Sequence, residues 1–168
     1  MTRAVRAGNV SVSPTLLVCY TPAVTARFAI DPSTGRVRFP DLPLEFSPQM
    51  AEAEFIAATA HLNRENLGAQ GSWQRYAIKA PISGNRKLGT YFIFWNGRLC
   101  KASFAWAGQE SWDTWSEETE AARRTEYKSQ LDSQLSGNWS RAWGKVSIVV
   151  DSKGGGTDIW IDYGCPSS

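Results

Sequence analysis

The sequence predicts a single α+β domain built on an antiparallel sheet of β-hairpins with two helices, in the order β-β-α-β-β-β-α-β-β. Three observations predict it. Period-two runs come in hairpin pairs around turn residues, only two segments have helical spacing, and strands and helices are grouped rather than alternating as βαβ units. At 168 residues with 42% hydrophobic and 20% charged side chains, the chain is long enough to bury a core without metals or disulfide staples. Residues 1–12 read as a flexible N-terminal arm and 13–168 as the domain.

The first hairpin joins Phe28–Ile30 to Arg36–Phe39 through Asp31-Pro-Ser-Thr-Gly35, where Pro32 presets a turn and Gly35 supplies a positive φ. Pro40 and Pro43 are expected to end further pairing. Ser47-Pro48 then offers a helix cap and first residue, and Ala51, Phe55, Ala58 and Leu62 follow at helical offsets, so a helix is expected over 48–62. The polar, Gly-bearing segment 63–71 reads as a loop before a strand at 73–80.

The strongest hairpin signal is Asn96-Gly97 between Tyr91–Trp95 and Arg98–Trp106. With Trp95 opposite Arg98, one face is expected to carry Tyr91, Ile93, Trp95, Arg98, Cys100, Ala102, Phe104 and Trp106, and the other Phe92, Phe94, Leu99, Lys101 and Ser103. Both faces are rich in apolar groups, which places this hairpin centrally in the sheet. A long helix is expected over 112–135, anchored by Tyr127, Leu131 and Leu135. Lys145–Val150 and Asp158–Tyr163 close the fold as a second hairpin with a glycine-rich tip.

Several function classes lack support. The net charge is +2, and the five arginines of residues 1–40 are scattered without aromatic interleaving, so no nucleic-acid partner is expected. No run is long enough to span a membrane as a helix. The three cysteines form no C-x-x-C pair and leave one unpaired in any disulfide scheme, which suits a reducing compartment, by default the cytoplasm, better than a secreted scaffold. His61 is the only histidine and stands without a nucleophile motif or a second metal ligand, and Lys153-Gly-Gly-Gly156 leads into a strand rather than a phosphate-binding helix. No catalytic residue, cofactor site or metal site is therefore expected.

What remains is the entrance of the long helix. Residues 110–126 carry six acids against two arginines. Asp113, Glu117 and Glu120 could in principle form an acid–base pair for a small hydrolase or a carbohydrate-binding enzyme, with Trp112 and Trp115 as sugar platforms. A Thr114-x-x-Glu117 capping box and acids complementing the helix dipole explain the same residues structurally. The preferred reading is a protein-binding patch of Trp112, Asp113, Trp115, Glu117, Glu118 and Glu120, with indole anchors inside an acidic rim. The competing reading folds both indoles into the core, and a third class is a structural subunit of a larger assembly.

Residues 90–163 also carry a resemblance. Trp112 and Trp115 with Ser116-Glu117-Glu118, Trp143-Gly144, Asp151 with Lys153 and the closing Ile159-x-Ile161-x-Tyr163 are similar to small bacterial immunity proteins encoded beside secreted antibacterial toxins. The resemblance implies a non-enzymatic protein that occludes a cognate toxin stoichiometrically. It brings no catalytic residues, and it does not extend to the basic first 40 residues.

Overall fold

The computed structural model describes residues 27–82, 86–107, 116–150 and 156–165, which form ten strands and two helices in two antiparallel sheets. The first sheet holds β1 (Ala29–Ile30), β2 (Val37–Phe39) and β3 (Leu44–Phe46). The Asp31 carboxylate shapes the first turn by accepting from the Ser33 N–H at 2.8 Å and its hydroxyl at 2.6 Å. Gly35 completes it at φ 72°. Contrary to expectation, Pro40 and Pro43 do not end pairing: Val37 pairs with Phe46 and Phe39 with Leu44. Both prolines lie in the connection, where no ladder N–H is needed.

α1 (Glu52–Ala58) is shorter than the expected 48–62. Gln49 has φ 61°, so Ser47-Pro48 makes a turn and the helix starts behind Ala51. The backbone around it is claimed by the sheet. Leu99 donates to the Met50 carbonyl at 2.9 Å, and Glu52 to that of Gly97 at 2.9 Å. Of the expected stripe only Phe55 is buried, and the Thr59 hydroxyl donates back to the Phe55 carbonyl where the helix ends.

The second sheet has the order β4-β5-β6-β7-β10-β9-β8, from β4 (Arg64–Gln70), β5 (Trp73–Ile82), β6 (Arg86–Trp95), β7 (Arg98–Ala107), β8 (Ser140–Arg141), β9 (Gly144–Val150) and β10 (Thr157–Asp162). β4 replaces the expected loop at 63–71. It buries no side chain, so it has no hydrophobic signature, and it is held as an edge through its backbone.

The central hairpin has Trp95 opposite Arg98, as expected, but the pairing shifts between Ile93 and Phe94. Ile93 faces Lys101 and Phe94 faces Leu99, so Cys100 is the extra residue of a β-bulge. The bulge restores phase. Leu88, Phe92, Phe94, Leu99, Ala102, Phe104 and Trp106 all enter the core, while Tyr91, Ile93, Trp95 and Lys101 take the outer face. The expected grouping of Phe104 and Trp106 with Tyr91 and Trp95 is thereby corrected.

The first sheet, α1 and α2 (Glu117–Leu135) pack on this inner face. Phe39 meets Phe104 edge-on at 5.2 Å, Phe46 meets Phe92 at 5.2 Å, and Phe55 lies 4.6 Å from Phe92. Tyr127, Leu131 and Leu135 are buried, as the helical spacing predicts. The ends of the chain cross-brace the layers: the Tyr163 hydroxyl donates to the Gly35 carbonyl at 2.8 Å and the Trp143 indole N–H to Pro32 at 3.0 Å.

Cys100 and Cys165 are joined by a disulfide. This corrects the expectation of a core without disulfide staples and runs against the reducing setting that the cysteine pattern favoured; Cys19, the third cysteine, lies outside the described residues. Sequence spacing could not reveal it, because the two cysteines meet only once β10 inserts beside β7. Among the described residues no helix is long and apolar enough to cross a membrane.

Candidate protein-binding surface at the entrance of α2

α2 begins two residues later than the capping box implied. Ser116, at φ −142° and ψ 151°, is the cap, and its hydroxyl accepts from the Thr119 N–H at 3.1 Å. Thr114 lies outside the described residues, as do Trp112, Asp113 and Trp115, so of the expected patch the structure places Glu117, Glu118 and Glu120. All three sit in the first turn, where carboxylates complement the unsatisfied N–H groups and the dipole.

Their environments differ sharply. Glu117 is exposed and accepts from the Arg124 guanidinium at 2.6 Å, two turns along the helix. Glu118 is exposed. Glu120 was expected in the acidic rim and instead turns inward, 1% exposed, with one oxygen engaged by Arg123. Its second oxygen, Oε2, is buried without a hydrogen-bond partner among the described residues. The 3.6-residue period explains the placement, since Glu120 precedes Tyr127, Leu131 and Leu135 on the same inward stripe.

Glu117 and Glu120 are thus held by different guanidinium groups, one at the surface and one inside. They do not converge on a shared cleft, which an acid–base pair acting on one bond requires. His61 is exposed just beyond α1. Among the described residues no group of three or more His, Cys, Asp or Glu is placed to hold a metal ion.

Deeper along α2 the helix is locked to the sheet. The Trp106 N–H donates to the Tyr127 phenol oxygen at 3.0 Å, and burial pushes that phenol up to about 12 despite this donor and the nearby Arg123. Arg27 bridges to Glu126 at 3.2 Å and lies over the Trp106 ring at 5.9 Å. On the other side of the sheet, Trp73 with Trp95 and Tyr91 with Trp160 form ring pairs at 6.5 and 6.3 Å. Sequence reasoning groups Tyr91 and Trp95 on one face but gives Trp73 and Trp160 none, because their place beside that hairpin is set by strand pairing.

No family model matches the chain, and no curated protein matches it in sequence. The fold is similar to a chain of the solved complex "Rhs1-CT in complex with cognate immunity protein RhsI1", at 14% identity and a TM-score of 0.55, covering 81% of this chain and 86% of that one. At that identity the likeness is one of fold.

Proposed function

We propose that this protein is a non-enzymatic immunity protein that neutralises a cognate secreted toxin by stoichiometric occlusion. The observation that carries the reading is the shared fold with a chain of a complex formed by an immunity protein and its cognate partner, over 81% of the present chain. The separate ion pairs of Glu117 and Glu120 support it, since they do not bring those two carboxylates together as the rival carboxylate hydrolase would need, while Asp113 lies outside the described residues. The proposed contact region is Trp112, Asp113 and Trp115 with Glu117 and Glu118, where indole anchors would carry affinity and exposed carboxylates would steer encounter.

The test is co-expression with a toxin domain, should a neighbouring reading frame encode one. Restored growth and a 1:1 complex are expected. Absence of both, or substrate turnover that Glu117→Gln abolishes, would overturn the reading.

A further inference from the structure

The two edges of the seven-stranded sheet differ in kind. β4 is blunted: it is polar, carries a bulge between Asn66 and Gly68, and binds the Gly68 N–H with the Asn66 side chain at 2.8 Å. These devices discourage another strand from pairing. β9 has none of them. β8 covers only Gly144 and Lys145, and the Trp139 carbonyl takes the Val146 N–H at 2.8 Å.

Beyond that point no described residue pairs with the outer side of β9. The alternation of ladder groups follows from the Val146 bond. Because Val146 donates outward and the period is two, the N–H and C=O groups of Ile148 and Val150 also point away from β10. The run Val146-Ser-Ile-Val-Val150 is smooth and β-branched, and Val149 and Val150 are 43% and 46% exposed.

Beside this edge runs a groove of about 530 Å³ between β9 and α2. Trp139, Val146 and Ile148 give it an apolar floor, and the charged groups among its described lining residues are Arg124, Lys128 and Lys145, with the Asp132 carboxylate beside it accepting from the Trp139 indole at 3.0 Å. Arg124 and Lys128 have carboxylate partners on α2, whereas Lys145 has no ion pair among the described residues. Through the Arg124–Glu117 pair the groove is continuous with the helix entrance.

We propose that the outer edge of β9 is a strand-addition site for an extended, acidic segment of the partner protein. The segment pairs with the free groups of Ile148 and Val150, lays apolar side chains toward Ile148 and Trp139, and directs a carboxylate to Lys145. Main-chain bonds supply affinity and the cations select the acidic strand. This deepens the immunity reading and rests on it for the identity of the partner.

The first probe is a synthetic heptapeptide of alternating Val and Glu, with a Val/Lys version as control, added to the full chain. Amide exchange at Ile148 and Val150 is expected to slow with the acidic peptide, and the basic one to bind at least about tenfold more weakly. Val150→Pro removes an outward N–H that no described residue accepts, and is expected to weaken binding by a similar factor with an unchanged melting temperature. Lys145→Glu is expected to abolish the preference for the acidic peptide. Equal binding of both peptides, or binding insensitive to Val150→Pro, overturns the proposal. So does protection of the two amides in the free monomer, which would mean that the chain covers its own edge, or protection that grows with protein concentration, which would make a second copy the occupant.

The second probe is a toxin domain that forms a 1:1 complex with the wild-type chain in the co-expression test. A wild-type 1:1 complex indifferent to Val150→Pro overturns the strand-addition site and leaves the immunity reading intact. Peptide binding at β9 with no such complex does the reverse.

Discussion

Cys100 and Cys165 are 65 residues apart in sequence and their Cα atoms stand 5.0 Å apart across a disulfide. The bond ties the segment after β10 to the bulged residue of β7, where the Tyr163 N–H also donates to the Cys100 carbonyl at 2.8 Å. Closing a loop of this length restricts the unfolded chain, so Cys165→Ser should cost about 2 to 4 kcal/mol. Urea unfolding with and without reductant checks it. Reductant should weaken the wild type to the level of the variant and leave the variant unchanged. Rapid alkylation of both Cys100 and Cys165 in native, unreduced protein would show that the bridge does not form.

Phe94 is fully buried and packs at 5.1 Å from Phe55 and 5.8 Å from Tyr76. It joins α1 to β5 and β6, so no single element can relax into the space that it leaves. Phe94→Ala is expected to lose about 3 to 5 kcal/mol through lost burial and the residual cavity. A loss below about 1 kcal/mol would contradict the inward register that the bulge sets.

Among the described glycines, Gly144, the first residue of β9, is the one where an added side chain would meet backbone. At φ 153° a Cβ there would lie 2.3 Å from the Asp162 carbonyl oxygen and 3.1 Å from the Tyr163 Cα. Gly144→Ala should therefore destabilise by at least about 1 to 3 kcal/mol, and the shift should appear in the β8–β9 turn by amide chemical shifts. A neutral substitution would mean that β9 and β10 are spaced differently at this end.

The fold class and element order were legible because they rest on local chemistry: Asn96-Gly97, Gly35, and the spacing of Tyr127, Leu131 and Leu135. What escaped were features set by pairing. β4 has no buried side chain to give a period, β3 is recognisable only beside β2, and the Cys100 bulge depends on where β10 seats. The candidate site was half legible. Acids in the first turn of α2 were expected, yet which one turns inward depends on the start of the helix, and the Ser116 cap moves that start past Trp112 and Trp115.

Acid stability should carry the mark of the first turn. Hydrogen bonds from the Ser33 hydroxyl and N–H lower Asp31 to about 2, with Thr34 contributing and slight burial opposing. The folded value lies below the unfolded one, so the stabilisation is fully present above about pH 4 and is lost as pH falls through about 2. Unfolding titrations of the wild type and Asp31→Ala should therefore differ most above pH 4 and converge near pH 2. A gap independent of pH would assign the role of Asp31 to turn geometry rather than to its charge.

The two halves of α2 should respond oppositely to substitution. Leu131 is fully buried, and Leu131→Ala should lower stability by about 2 to 5 kcal/mol while affecting partner affinity only through the folded fraction. Glu118 is exposed at the entrance, and Glu118→Lys combined with Trp115→Ala is expected to leave the melting temperature nearly unchanged and weaken binding at least about tenfold. Calorimetric unfolding and titration with the toxin domain separate the two effects. Arg124 supplies an internal control, since Arg124→Ala removes the Glu117 pair and one cation of the β9 groove without touching the core. Exposed pairs of this kind contribute less than about 1 kcal/mol, so its unfolding curve should stay close to the wild type. A collapse of stability on replacing Trp115 would instead make that indole part of the core and remove it from the contact region.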